Sequence, residues 1–430
     1  MIEGGRLRRA LLGTTATVVL ATALVGVAPT AVAADARSQQ WYLDAMGAED
    51  IWKKSTGAGI TVAVIDSGVD PDTPSLKGKV LKGWDAAEAK GDETDDYDGH
   101  GTTIAEIIVG SGAQGSLRGL APGAKVIPYR VSNTELQNEQ AVNAFDMSEA
   151  IKAAADSDAQ VINVSFGSEY YSEEILQSVQ YAHKKGKLIF AASGNDALKD
   201  NKKRYPASYP EVVAVAATTQ DGVVADYSQY GDYIDLAAPG SRIPGYCDKS
   251  LTKYCVSDGT SFSAALASAS AALIWSAHPD WTGSQVLRVM FESAGRGDDW
   301  KPGTVSTKAG HGVVRPNAHI NRGVGKPGDP NISPLTNEPT GGAAAGGATP
   351  STAPSATASA SAPAGESSGA PSATASTQAP DGKATSGTAV AGSSESAESG
   401  GRTGIIIGAV AAVVVLAGVG VVIARKRRTA

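Results

Sequence analysis

The sequence predicts an α/β domain built on a buried parallel sheet, followed by an unfolded tract and a membrane anchor. Three observations predict it. Apolar, β-branched runs at 59–66, 161–167 and 188–195 each end in small or polar residues, as strands buried on both faces do. Helical stretches accompany them: an apolar one at 104–109, and one built of small residues that starts at Ser261. Composition then changes near residue 327. All six Trp and all five Phe precede it, and Ala, Ser, Thr, Gly and Pro dominate after it.

These signals divide the 430 residues. Residues 1–33 read as a secretory signal: Arg6, Arg8 and Arg9, an apolar stretch, then Ala31-Val32-Ala33 as a small-x-small cleavage site. An uncleaved anchor is the other reading of that stretch. Residues 34–326 form the folded domain, and 327–402 a linker averaging about 50 Å end to end as a flexible coil. The span 403–424 contains an unbroken apolar run at 405–424, long enough to cross a bilayer as one helix. Arg425, Lys426, Arg427 and Arg428 in the tail 425–430 hold that end in the cytoplasm, so the domain and linker lie outside the cell.

The whole chain carries −7; its two basic ends hold +2 and +4, which leaves −13 on the body between them. An acidic body excludes nucleic acid as a partner, since that binding depends on clustered Lys and Arg. The only cysteines, Cys247 and Cys255, both fall in the exported part, where an oxidising environment favours a disulfide over two free thiols. Two cysteines do not make a zinc site. The acidic stretch 91–98 has oxygen ligands that could hold calcium, but it lacks regular ligand spacing and reads as a solvated loop.

Five segments carry chemistry. The strand at 59–66 delivers Asp66 to its carboxyl end, where open α/β sheets place functional groups. Read alone, Asp66 could equally be a capping or turn residue. Asp98-Gly99-His100-Gly101-Thr102 sets a histidine between glycines at a helix start; among the five histidines, only His100 has such surroundings. His183 and His278 read as structural. The strand ending in Ser165, Phe166 and Gly167 would supply a substrate wall. The strand at 188–195 leads to Asn195, whose amide could donate to an oxyanion or could simply make a turn. Ser261 opens a helix whose positive end assists a nucleophile, although Ser is also an ordinary helix cap.

The order Asp, His, Ser, with each residue in such a setting, is decisive where no single element is. "VAVIDSG", "GHGT", "AASGN" and "GTSFSAA" resemble the signature segments of subtilisin-like serine proteases, and "GHGVVRPNAHI" is similar to their closing strand and helix. The resemblance spans about residues 40–323. It implies a doubly wound, mostly parallel α/β sheet flanked by helices, with Asp66, His100 and Ser261 as catalytic triad and Asn195 as oxyanion donor. It calls for no cofactor. Two positions depart from the pattern: Thr103 stands where a second His is usual, and Ala265 where Pro is usual.

A narrower resemblance is to the mycosins, subtilisin-like proteases of type VII secretion systems. "QQWYLDAMGAEDIW", "YDGHGT", the linker and the terminal helix carry it. It implies a single-pass cell-membrane endopeptidase with protein or peptide substrates and membrane components of a secretion system as partners. The alternative is a scaffold that stabilises such a complex, with proteolysis secondary. Only 26 residues, from Ala34 on, precede Ile60, too few for a folding-assistant prodomain, so this segment is expected to wrap the domain.

Overall fold

The computed structural model describes residues 36–87, 89–131, 144–297, 300–301 and 303–340. The expected signal, most of the linker, the terminal apolar run and the basic tail lie outside the described residues. So does the second of the two units into which the chain divides, residues 354–430.

Seven strands form one sheet: β1 (Thr61–Asp66), β2 (Trp84–Asp85), β3 (Lys125–Arg130), β4 (Val161–Val164), β5 (Leu188–Ala192), β6 (Val213–Thr218) and β7 (Leu236–Pro239). Their order is β2-β3-β1-β4-β5-β6-β7, and every pairing is parallel. This is the doubly wound arrangement. The strand order reverses at β1, and ligands of such sheets bind at the crevice that opens there. Asp66 is the last residue of β1, so the topology sets it at that crevice.

Both faces of the sheet are covered, which is why its strands read as continuous apolar runs. The pleat divides the side chains: Val62, Val64, Val161, Phe190 and Val215 face one core, and Ala63, Ile65, Ile162, Ile189 and Ala214 the other. Two short helices, α1 (Trp41–Met46) and α2 (Ala48–Trp52), and then α3 (His100–Val109) contribute to the first core. The second is closed by α4 (Ala144–Asp156) and α5 (Glu173–Lys184). An antiparallel hairpin of β8 (Ile243–Tyr246) and β9 (Tyr254–Ser257) precedes α6 (Thr260–Ala277). Then come α7 (Gly283–Ser293) and α8 (Pro316–Arg322).

The helix α6 is the spine of the first core. All sixteen residues from Thr260 to Trp275 are buried, and a helix apolar on every side can be stable only when enclosed. Its Ala and Ser side chains are what let sheet and helices approach it from all directions. Among the described residues it alone is long and apolar enough to cross a membrane, and it lies inside the domain.

The N-terminal segment packs against the body. Tyr42 and Ile51 are wholly buried in the first core. The Trp52 indole donates to the Leu120 carbonyl at 2.8 Å, and the Trp41 indole to that of Ser241 at 3.2 Å. The folded body also extends beyond its expected limit at 326. Ser333 is buried, Leu335 packs on the core, and Thr282 at the start of α7 donates to the Pro330 carbonyl at 2.7 Å. These few apolar and hydroxyl contacts hold down a stretch whose composition already resembles linker.

The acidic stretch 91–98 is not simply solvated. Arg130, wholly buried at the end of β3, is paired with Asp85 and donates to the carbonyls of Ala89, Lys90 and Asp95. A guanidinium, with five donors, thus organises the chain leading into the stretch. Asp96 is buried as well, for a reason given below.

Candidate active site

Asp66, His100 and Ser261, spread over nearly 200 residues of sequence, meet in one hydrogen-bonded row. His100 Nδ1 lies 2.7 Å from Asp66 Oδ1, and His100 Nε2 lies 3.1 Å from Ser261 Oγ. Asp66 is completely buried, and its Oδ1 also accepts from the Ser67 N–H at 2.8 Å. A carboxylate can only accept, so Nδ1 carries the hydrogen and Nε2 is left with a lone pair toward the serine. Burial works to lower the His100 pKa. The Asp66 charge and hydrogen bond overcome it, with Asp98 and Asp96 adding to them, and the imidazole is pushed up to about 9.

Each side chain is delivered by its own element. Asp66 comes from the end of β1, His100 from the first position of α3, and Ser261 from the first turn of α6. The glycines around the histidine are required. Gly99 has φ +85°, and a Cβ on Gly101 would sit 2.1 Å from the Gly68 carbonyl oxygen and 3.0 Å from the Asp66 side chain. Only a bare backbone lets α3 start against the end of β1.

That junction is held by two residues the sequence reading passed over. Ser67 Oγ accepts from the Gly101 N–H at 2.9 Å and donates to Asp96 Oδ1 at 2.9 Å. Asp96 Oδ1 also accepts from the N–H groups of Asp98 and Gly99, and Oδ2 from the N–H and hydroxyl of Thr102. The first turn of a helix exposes N–H groups and the positive end of its dipole. Here the N-cap, Gly99, has no side chain, so Ser67 and Asp96 supply the cap from outside. An Asp three residues before the N-cap glycine was the available signal, masked by the run of acids around it.

Asn195 follows β5, and its position is set by Thr260. The Thr260 N–H and hydroxyl both donate to Asn195 Oδ1 at 2.9 Å, and the Gly194 N–H donates to that hydroxyl at 3.1 Å. Two donors on Oδ1 fix which way round the amide sits, leaving Nδ2 as a donor with no hydrogen bond to a described residue. Beyond β4, Ser165 is buried and accepts from the Asn163 amide, while the Phe166 ring lies 5.7 Å from that of His100. Ser168, just past Gly167, pairs with Tyr205 through two backbone hydrogen bonds. Phe262 flanks the histidine on another side at 6.1 Å.

Cys247 and Cys255 are joined as a disulfide across the β8–β9 hairpin. Thr103, where the resemblance led one to look for histidine, binds this hairpin: its hydroxyl donates to the Gly99 carbonyl and accepts from the Tyr246 N–H. Ala265 is fully buried within an unbroken α6. His183, whose pKa burial lowers, lies on α5, and His278 stacks on Trp281 at 3.8 Å; neither is part of the row.

The subtilase family profile matches residues 57–312, more than half of the chain and all of the elements just described from β1 to α7. This chain belongs to the subtilase family. It is a serine endopeptidase of that family. Thermitase of Thermoactinomyces vulgaris is 34% identical over 226 residues, covering 52% of this chain and 77% of thermitase. The major intracellular serine protease of Bacillus subtilis is 32% identical over 237 residues, covering 53% and 72%. Among solved structures, MycP1 from Mycobacterium smegmatis superposes with a TM-score of 0.54 at 28% identity, covering 65% of this chain and 84% of MycP1. MycP3 protease from the type VII (ESX-3) secretion system gives 0.55 at 27%, covering 65% and 87%. The mycosin resemblance read from the sequence is therefore also a resemblance of folds.

Proposed function

We propose that this subtilase cleaves peptide bonds with Asp66, His100 and Ser261 as its triad, outside the cell and tethered to the membrane. The observation that carries the reading is the hydrogen-bonded row from Asp66 through His100 to Ser261. Ser261 Oγ attacks the peptide carbonyl while His100 Nε2 takes its proton. Asp66, accepting from Nδ1–H, holds the imidazole in that tautomer and stabilises the imidazolium as it forms. The tetrahedral oxyanion draws on Asn195 Nδ2 and on the Ser261 N–H, one of the unsatisfied donors in the first turn of α6. His100 then returns its proton to the leaving amine, and water repeats the sequence on the acyl-enzyme. The acyl half of the substrate lies extended along Ser165, Phe166 and Gly167.

The remaining assignments rest on the sequence, except that the body runs on past 326: residues 1–33 removed on export, 34–340 as the peptidase body, 341–402 as tether, 403–424 as the span and 425–430 inside. Likeness to MycP1 and MycP3 supports a role beside a type VII secretion system, with its membrane components as partners.

A membrane-impermeant fluorophosphonate probe applied to intact cells tests both halves. Labelling at Ser261 is expected in the wild type and not in Ser261→Ala or His100→Ala. Labelling that appears only after lysis would overturn the orientation. A folded wild type that labels in neither state would leave the scaffold reading in its place.

A further inference from the structure

Beside His100 lies a cavity of about 310 Å³. Its lining includes Tyr97, Asp98, His100, Tyr246, Lys249 and Phe262, and it shares no residue with the wall at Ser165, Phe166 and Gly167 or with Asn195. The nucleophile therefore has two distinct flanks. If the acyl half of a substrate lies along the wall, the half that leaves as the amine passes the other flank. His100, which must protonate that amine, lines the cavity. This assignment rests on the catalytic reading given above.

The cavity is held open by its construction. One side is the first turn of α3 and the other is the β8–β9 hairpin, closed by the Cys247–Cys255 bond. Thr103 anchors the Tyr246 backbone at 2.9 Å. Deeper in, the buried Glu106 of α3 accepts from the Tyr246 hydroxyl at 3.1 Å and the Tyr254 hydroxyl at 2.6 Å, and the two rings stack at 4.4 Å. The hairpin thus cannot swing away from the helix that carries His100 without breaking these bonds.

The charges in the cavity differ in availability. Asp248 is charged but occupied: its oxygens accept from the Ser250 and Thr252 hydroxyls and from the N–H groups of Thr252 and Lys253. Lys249 offsets one negative charge. Asp98 is half-buried, and no described side chain forms an ion pair or hydrogen bond with its carboxylate. A partly desolvated carboxylate without a partner favours a cation beside it. The exposed ring of Tyr97, which Arg130 also approaches at 5.9 Å, and that of Tyr246 line the cavity for the alkyl stem and charged head of a long basic side chain.

We propose that this cavity receives a lysine or arginine side chain one or two residues after the scissile bond, with Asp98 as the residue that selects it. Acidic side chains are disfavoured there by Asp98 and Asp248 together.

The test uses the full-length chain in detergent and quenched peptides that differ only in bearing Lys, norleucine or Glu at one of those two positions. At one position kcat/KM for Lys is expected to exceed that for norleucine by about tenfold, with Glu lowest. Asp98→Asn should bring the Lys/norleucine ratio to within about twofold of unity, and Lys249→Gln should raise it. The ratio at fixed pH is the readout because Asp98 also acts on His100, which changes both rates alike. A wild-type ratio near one at both positions, or a ratio unchanged in Asp98→Asn, overturns the proposal. Fluorescence anisotropy of labelled Lys and norleucine peptides on Ser261→Ala separates this from catalysis. If the wild type cleaves nothing, the catalytic reading fails, while a binding preference for Lys that Asp98→Asn abolishes still upholds the cavity. No preference in binding refutes it.

Discussion

Replacing Asp96 by Asn tests whether the start of α3 is capped from outside in the way the hydrogen bonds indicate. The carboxylate accepts five bonds, three on Oδ1 and two on Oδ2. An asparagine has one accepting oxygen, so its better orientation keeps the three on Oδ1 and turns an NH₂ group toward the two donors of Thr102. Hydrogen bonds to a charged group contribute about 1.5–3 kcal/mol each, so losing two costs about 3–6 kcal/mol. The negative charge near the helix N-terminus adds about 0.3–1 kcal/mol more. His100 is the first residue of that helix, and displacing a catalytic group by about 1 Å can lower turnover about a hundredfold. Urea denaturation of wild type and Asp96→Asn, with kcat and KM measured under native conditions, is the assay. Stability should fall by several kcal/mol, and kcat should fall far more than KM changes, since Asp96 touches no substrate. A loss under about 1 kcal/mol with unchanged kcat would refute the capping argument.

Three further outcomes are expected. Asn195→Ala should lower kcat by about a hundred- to thousandfold with little change in KM, a scale borrowed from the oxyanion asparagine of subtilisin itself and not worked from this geometry; steady-state kinetics showing a KM effect alone would count against it. In the free enzyme His100 must be neutral to act as base, and its pKa is pushed up to about 9, so kcat/KM should rise with pH through that value. Removing the Asp98 charge should move the midpoint lower, and a profile with its midpoint at the ordinary histidine value would contradict the role of the surrounding carboxylates. The N-terminal segment should remain attached in active enzyme, because Tyr42 and Ile51 are wholly buried in the core. Intact-mass comparison of wild type and Ser261→Ala checks this, and activity that appears only once the segment is lost would make it a propeptide.

The legibility of this protein differed from element to element. Asp66, His100 and Ser261 could be found because each stands at the end of a patterned element: an apolar strand, a glycine-flanked helix start, a helix of small residues. Such patterns are local and survive in one dimension. Ser67, Asp96 and Thr260 were invisible because their roles lie in hydrogen bonds to other segments. Asp96 stood within a run of acids that charge alone assigns to solvent, and Ser67 and Thr260 looked like spacers beside Asp66 and Ser261. The boundary at 326 was misplaced because 327–340 has little apolar content, yet a few contacts through Ser333, Leu335 and Thr282 suffice to hold it.

By itself the sequence determined the chemistry on offer and the strands and helices that present it, because buried strands, tight helix starts and small-residue helices each demand particular residues in particular order. Tertiary structure alone decided the 2.7 and 3.1 Å spacings within the row, the orientation of the Asn195 amide and the pairing of Glu106 with Tyr246 and Tyr254. It also decided that Asp98 faces a cavity beside the base, with no described side chain bonded to its carboxylate and Lys249 and His100 acting on it only through their charge. Those properties depend on distances between segments far apart in the chain. Such distances are set by how two cores pack against one twisted sheet, and no local pattern of residues encodes them.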